Sequence, residues 1–412
     1  VAATLTLRDA GDRPWGDEPG PRRAPEGARP NPQPPPPPPP PTGGARLIGW
    51  RNRLLGSPAF HRFAADFPLT RGIARREARA LFDILAGFAY SQTLSACVSL
   101  DLFGLLADGP LAQTEIARRA GLPAAGATRL LKAAASLRLL EALPPDRYAL
   151  GPLGAAMRAT PGVAAMMAHH RLLYADLADP VALLRRGGGG ALADFWGYVR
   201  ASDPSGLEAA AVADYSALMA ASQEFVSGEV LDAYDLSRHR TLLDVGGGEG
   251  GFLCAAAKRA PDLRLMLFDL PAVAQRATAR FAVAGLAERA QAFGGDFLAD
   301  PLPRGADVIS LMRVAHDHDD AAVMRLLSAC RTALPQGGTL LIGEPMAATP
   351  GAEASGEAFF GLYLFAMGQG RPRTPAELSA MARAAGFARC RLARTRTPLN
   401  ARLLVATVEA AL

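Results

Sequence analysis

A chain of 412 residues, half of them hydrophobic, is long enough for two domains with real cores and a tail. With 44 Lys+Arg against 39 Asp+Glu the net charge is +5, too mild for the concentrated basic face of an obligate nucleic-acid binder. Single cysteines at Cys97, Cys254, Cys330 and Cys390 suit reduced thiols in a cytoplasmic protein, and no C-x-x-C pair suggests zinc.

Residues 1–45 are rich in Pro and Gly, with unbroken proline from Pro34 to Pro41, and are expected to form a disordered or polyproline tail, either an SH3-type ligand or dispensable. No continuous apolar run reaches the ~20 residues of a membrane span. The N-terminus has charges and prolines where a secretory signal has its apolar region. Residues 46–80 change character. Arg46, Arg51, Arg53, Arg62, Arg71, Arg75, Arg76 and Arg79 are offset only by Asp66 and Glu77, with Trp50, Leu54, Leu55, Phe60, Phe63 and Phe67 interleaved. Such an amphipathic segment suits an anionic membrane surface or a solvated helix packed on a partner subunit.

Over residues 81–160 the pattern predicts helices followed by a hairpin. Leu100, Leu102, Phe103 and Leu106 form an apolar stripe, Thr114–Ala117 opens a helix, Gly121-Leu122-Pro123 turns, and Ala127–Leu137 is a second helix. Leu139–Leu143 and Tyr148–Leu150 flank a Pro144-Pro145-Asp146 turn. This is a winged-helix pattern. Its second helix carries only Arg129 and Lys132 as basic residues, little base-reading chemistry, so pairing with protein is the expected role and no nucleic-acid partner is expected. Residues 161–239 read as a helical linker region, interrupted by Gly187–Gly190.

From residue 240 to 412 the chain alternates strand and helix. Strands are predicted at Thr241–Val245, Leu263–Phe268, Ala290–Phe293, Val308–Met312, Thr339–Gly343, Arg389–Ala393 and Arg402–Val408. The fold class is therefore α/β, a seven-stranded Rossmann-like domain behind a helical, winged-helix-like dimerisation domain.

The first strand runs into Gly246-Gly247-Gly248-Glu249-Gly250-Gly251, where glycines allow a tight turn and close approach to a ligand. Gly246, Gly248 and Gly251 also satisfy the dinucleotide pattern. Asp244, just before them, suits a cationic ligand with an amino group and would repel a pyrophosphate. Asp269 ends the second strand and suits ribose hydroxyls; Asp296 and Phe297 follow the third and suit an adenine amino group and ring. Together they fit an adenosyl group without phosphates, although each acid alone suits a helix N-cap. After the fourth strand comes His316-Asp317-His318-Asp319-Asp320. His316 at this sheet edge is the candidate general base, with Asp317 or Glu344 to hold its tautomer. The H-x-H spacing also invites a metal, but no third ligand is evident.

These motifs, with Phe268-Asp269-Leu270-Pro271, Gly294-Gly295-Asp296-Phe297, Ala333-Leu334-Pro335-x-Gly337-Gly338 and Arg373-Thr374, run in the order found in the plant-type, caffeic-acid-like O-methyltransferases, which residues 80–412 resemble. The resemblance implies S-adenosylmethionine as cofactor and a homodimer. It places Asp244, Gly246, Gly248, Asp269, Leu270, Asp296, Phe297 and Met312 at the cofactor, Gly246 by its methionine part. It makes His316 the base with Asp317 beside it and Glu344 flanking the imidazole. Two departures stand out: Met312 replaces a cofactor-contacting lysine, and Pro372 replaces an acid. Pro68–Arg71, Phe88–Gln92 and His316–Asp320 are similar to the carotenoid enzymes of purple bacteria, the demethylspheroidene or hydroxyneurosporene O-methyltransferases, which act on a tertiary hydroxyl. That implies a lipophilic small-molecule substrate and a cytoplasmic enzyme in peripheral contact with the inner, photosynthetic membrane. The apolar stretch from Phe359 to Met367 would line the acceptor site. Rival readings are a phenolic or polyketide acceptor, a DNA-binding regulator with a ligand-sensing α/β domain, and a dinucleotide oxidoreductase, which Asp244 disfavours.

Overall fold

The computed structural model describes residues 43–196, 223 and 226–410. The chain divides into two compact units on either side of Ile84. The expected tail lies almost wholly outside the described residues.

In the first unit, a helix at Gly43–Leu55 is followed by another at Pro58–Asp66. Ser57 separates them because its hydroxyl accepts from the Phe60 N–H while Pro58 occupies the first helical position. A third helix, Arg71–Ser99, begins here, and the unit boundary falls within it. Ala64 is the single buried residue among positions 43–84 for which burial is described. Arg71–Ser99 corrects the expectation of no span-length apolar segment: by length and composition alone it could cross a membrane. Scattered Ser91, Gln92, Thr93 and Ser95 interrupt the run without making it polar overall. Its end nevertheless belongs to a soluble core, because Leu94, Cys97 and Val98 pack with Leu102, Phe103 and Leu106.

The second unit opens with the winged helix. Helices Gln113–Arg119 and Ala124–Ser136 precede a hairpin of β2 (Leu140–Leu143) and β3 (Arg147–Leu150), with β1 (Leu111–Ala112) added to β3. Ile116, Leu131, Ala134 and Tyr148 face one core, while Arg129 and Lys132 point outward.

The α/β domain is a seven-stranded sheet in the order β6-β5-β4-β7-β8-β10-β9. Its strands are β4 (Thr241–Val245), β5 (Arg264–Asp269), β6 (Ala290–Gly294), β7 (Val308–Met312), β8 (Thr339–Glu344), β9 (Arg389–Ala393) and β10 (Arg402–Thr407). Strands β4 to β8 are parallel neighbours, and β10 is antiparallel to both β8 and β9. Successive residues of the inner strands point to opposite faces, as the two-residue period requires. Leu243, Ile309 and Leu340 enter one core and Leu242, Val308 and Leu341 the other. Covering both faces makes these strands continuous apolar runs. The order reverses at β4, between β5 and β7, which opens a crevice at the carboxyl ends of the strands.

The region expected as a helical linker packs on the α/β domain wherever it is described. Helices Pro161–Asp176, Pro180–Arg185 and Ala191–Phe195 share a core with Val273 and the helix Gly361–Met367. Asp176 ties this layer by accepting from the Ala191 and Leu192 N–H groups.

Candidate active site

The carboxyl ends of β4, β5, β6, β7 and β8 bring five loops to one edge. After β4 the chain turns sharply. The Gly246 N–H donates to the Phe268 carbonyl at 2.8 Å, and Gly246 has a left-handed φ of 66° with Val314 where a side chain would go. Gly248, also left-handed at 58°, borders open space, so a ligand can come against its backbone.

Asp269 ends β5 beside this turn. One carboxylate oxygen accepts from the Gly248 N–H at 2.8 Å and the other from the Leu270 N–H at 2.7 Å. Each oxygen keeps a further lone pair, enough for a vicinal diol. Burial raises its pKa to about 6 against those two N–H donors. Leu270 is half-buried against the helical layer. After β6, Asp296 accepts from the Leu298 N–H at 2.8 Å, and half-buried Phe297 meets His318 edge-on, 5.4 Å between ring centres. These residues stand at or after the ends of neighbouring strands β5 and β6 and together offer a diol acceptor, an amino acceptor and a ring.

Two of the expected cofactor contacts are buried. Asp244 is completely buried under the glycine turn, accepts from the Ser310 hydroxyl at 2.5 Å, and lies where a Gly247 side chain would go. Burial pushes its pKa up to about 7; it braces the turn through Oδ1, while buried Oδ2 has no protein partner among the described residues. Met312, still on β7, points into the core against Gly343 and Val230. The cation at this place is the next residue, Arg313, which sequence reasoning missed. Arg313 has a left-handed φ of 58°, which swings it off the strand, and it donates to Gln223 at 2.8 Å. Gln223 in turn lies 3.6 Å from where a Gly251 side chain would be.

The candidate base sits in a 3-10 turn, Ala315–Asp317, and is 5% exposed. His316 Nε2 lies 3.2 Å from Asp317 Oδ1, while buried Nδ1 has no hydrogen-bond partner. Burial, with Arg313, His318 and Arg373 adding to it, lowers the imidazole pKa to about 3. The ring is therefore neutral near pH 7, and the Asp317 carboxylate beside Nε2 favours the tautomer with its proton there and its lone pair on Nδ1. Glu344, expected to flank the imidazole, is fully buried beside the same turn. It accepts from the His316 backbone N–H at 3.1 Å through Oε2 and so holds the turn, while buried Oε1 has no protein partner among the described residues. Burial raises its pKa to about 8, which keeps it a neutral acid near pH 7.

The His-Asp-His-Asp-Asp run separates into distinct tasks. His318 packs on Phe297, and Asp319 caps the helix Asp320–Ala333 by accepting from the Ala322 N–H. Asp320 pairs with both Arg371 and Arg373. Among the described residues, no three His, Cys, Asp or Glu side chains gather as metal ligands. Arg373, fully buried, donates to the carbonyls of Ala315 and His318 at 2.7 Å each and to Asp320 at 2.7 Å. Its guanidinium thus clamps the chain on both sides of His316 and Asp317. The Arg371 N–H adds a bond to the His316 carbonyl at 2.9 Å.

Across from the base stands an aromatic wall on a π-helical stretch, Ser355–Phe360. Phe360 lies 5.9 Å from the His316 ring, Phe359 4.9 Å from Phe360, and His170 5.4 Å from Phe359. Only this end of the expected lining faces the base. Tyr363, Ala366 and Met367 are buried in the helical layer, where Tyr363 Oη bonds His169 at 2.8 Å and Trp196 at 3.2 Å.

An O-methyltransferase domain family matches residues 174–388, and an O-methyltransferase dimerisation domain matches residues 82–159. The demethylspheroidene O-methyltransferase of Cereibacter sphaeroides is 42% identical over 354 residues, 85% of this chain and 92% of that protein. The enzyme of that name from Rhodobacter capsulatus is 40% identical over 355 residues, 85% of this chain and 87% of that protein. Among solved structures, human N-acetylserotonin methyltransferase in complex with SAM is similar with a TM-score of 0.68 at 25% identity, covering 81% of this chain and 98% of that one.

Proposed function

The chain belongs to the O-methyltransferase family, and from that premise we propose that it transfers the methyl group of S-adenosylmethionine to the tertiary hydroxyl of an acyclic hydroxycarotenoid, using His316 as general base. The observation that carries this reading is the buried, neutral His316 whose Nδ1 is unpartnered beside Phe360. A base inside an apolar wall suits a hydroxyl on an otherwise apolar molecule. The acceptor class rests on the similarity to the two demethylspheroidene enzymes.

The residues present fit the cofactor. Asp269 would hold the ribose diol, Asp296 and Phe297 the adenine, and the open side of Gly248 admits the methionine part. When bound, S-adenosylmethionine supplies a methyl carbon activated by sulfonium charge. The chain's own work is at the acceptor oxygen. The hydroxyl donates to Nδ1, and its proton passes to that nitrogen as the oxygen attacks. Asp317, at Nε2, offsets the positive charge that burial would otherwise oppose. Arg373 and Glu344 hold the turn so that the lone pair stays aimed.

The dimerisation domain over residues 82–159 supports a homodimer. Because a carotenoid resides in the bilayer, the enzyme is placed in the cytoplasm in peripheral contact with the inner, photosynthetic membrane. Incubation with isotope-labelled cofactor and both a hydroxycarotenoid and a panel of phenols tests the reading. Methylated carotenoid in the product mass spectrum supports it, and methylation of phenols alone overturns it.

A further inference from the structure

The first unit exposes an apolar and strongly basic surface that the methyl-transfer site does not use. Trp50, Phe63 and Leu69 are 57%, 58% and 81% exposed, and the rings of Phe63 and Phe67 stack at 5.3 Å. On the helix Gly43–Leu55, Leu47, Trp50 and Leu54 recur at helical spacing, with Arg46 and Arg53 together on the flank. Between Arg46 and Arg79 eight arginines stand against Asp66 and Glu77, and Glu77 already pairs with Arg76 at 3.0 Å.

We infer that residues 43–79 dock the enzyme on a bilayer bearing anionic headgroups, with the aromatic and aliphatic side chains entering the interface and the arginines meeting lipid phosphates. Three observations choose this occupant. The charge is one-sided, which suits an anionic surface and opposes a second copy carrying the same charge. The segment lies upstream of the matched dimerisation domain, which begins at residue 82. Its two complete helices have 13 and 9 residues, roughly 20 and 14 Å at 1.5 Å per residue, too short to span and right for lying in the interface. The long helix Arg71–Ser99 does not span either, since Leu94, Cys97 and Val98 are held in the winged-helix core.

The inference deepens, and rests on, the reading of a bilayer-borne acceptor, and vesicle flotation of the full chain tests it separately. Vesicles of phosphatidylcholine alone are compared with vesicles containing phosphatidylglycerol, at low and high salt. The expected result is binding to anionic vesicles, weakened by salt. It should be reduced about a hundredfold or more in Arg46→Gln/Arg51→Gln/Arg53→Gln/Arg62→Gln, on the order of several-fold for each of the four arginines near such a surface. The variant should keep its oligomeric state by light scattering and its turnover of detergent-dispersed acceptor. Equal binding to both vesicle types, no binding to either, or dissociation of the variant into monomers overturns the inference; the last result would assign the surface to a second copy. If anionic vesicles bind the protein but no hydroxycarotenoid is methylated in detergent, the acceptor reading fails and the docking surface stands.

Discussion

His316 combines two properties that make its removal informative: a lone pair aimed at nothing in the protein, and a ring kept neutral by burial. His316→Ala should lower kcat on the order of a hundredfold or more, the usual range for general acid–base catalysis. Calorimetric titration with S-adenosylhomocysteine should show nearly unchanged affinity; a matching loss of affinity would move His316 to the cofactor. Asp269→Ala should do the reverse, weakening that affinity about tenfold or more, since hydrogen bonds to a charged group contribute roughly 1.5–3 kcal/mol. Unaltered affinity would refute the ribose assignment. Arg373→Lys keeps the charge and loses the fork that grips Ala315 and His318. Its expected cost is about 1–3 kcal/mol in unfolding free energy for the carbonyls left unpaired, with kcat falling and the KM for acceptor staying within about twofold; loss of stability with kcat intact would reduce Arg373 to a structural role. His316 and Asp269 were legible as candidates, because a titratable group at a strand end has few other reasons to be there. The sequence did not show that Asp244 and Met312 are buried or that Arg313 is the cation here, because the side to which a strand-end residue points depends on alternation and on the left-handed turn at Arg313. Neither is written in residue type.

At the scale of elements, all seven predicted strands of the large sheet are present within a residue of their ends; the inner five are continuous apolar runs because both faces are covered, and the edge strands β6 and β9 are only partly buried. The winged helix was equally legible, its hairpin marked by Pro144-Pro145-Asp146 between apolar runs. Helices were harder. The boundary expected at residues 80 and 81 cuts the single helix Arg71–Ser99, since its change from basic to apolar composition occurs without a break in backbone. The π-helical stretch at Ser355–Phe360 has no sequence signal of its own. The apolar part of the long helix carries its own prediction. Ile84, Leu85 and Phe88 are 80%, 71% and 71% exposed, and the matched dimerisation domain covers Leu85 and Phe88. The expected occupant of this stripe is a second copy of the chain. Phe88→Glu puts a charge on it, so light scattering should show a shift from dimer to monomer at micromolar concentration. A variant as fully dimeric as the parent would place the interface elsewhere.

The whole molecule carries two opposed sets of buried titratable groups, and their balance sets how stability varies with pH. Glu344, Asp244 and Asp269 are raised to about 8, 7 and 6 by burial. The folded chain therefore binds protons that the unfolded chain, with carboxyl pKa values of about 4, has released. Their contribution is complete below about pH 4 and is lost as pH rises to 8. His316, His169 and His318 are lowered to about 3, 4 and 4, again chiefly by burial. Their contribution is complete above the ordinary histidine value of about 6.5 and is lost as pH falls toward 3. Between roughly pH 4.5 and 6.5 the two sets oppose each other; above 6.5 the carboxyls act alone. The ligand-free protein should therefore show a nearly level Tm on the acid side of neutrality and a decline from about pH 6.5 to 8. Glu344→Gln removes the group that titrates last, so its decline should end about one pH unit earlier. A Tm that rises from pH 6.5 to 8, or a Glu344→Gln profile that falls over the same range as the parent, would mean that Glu344 is ionised in the folded chain and that the turn carrying His316 is held by charge.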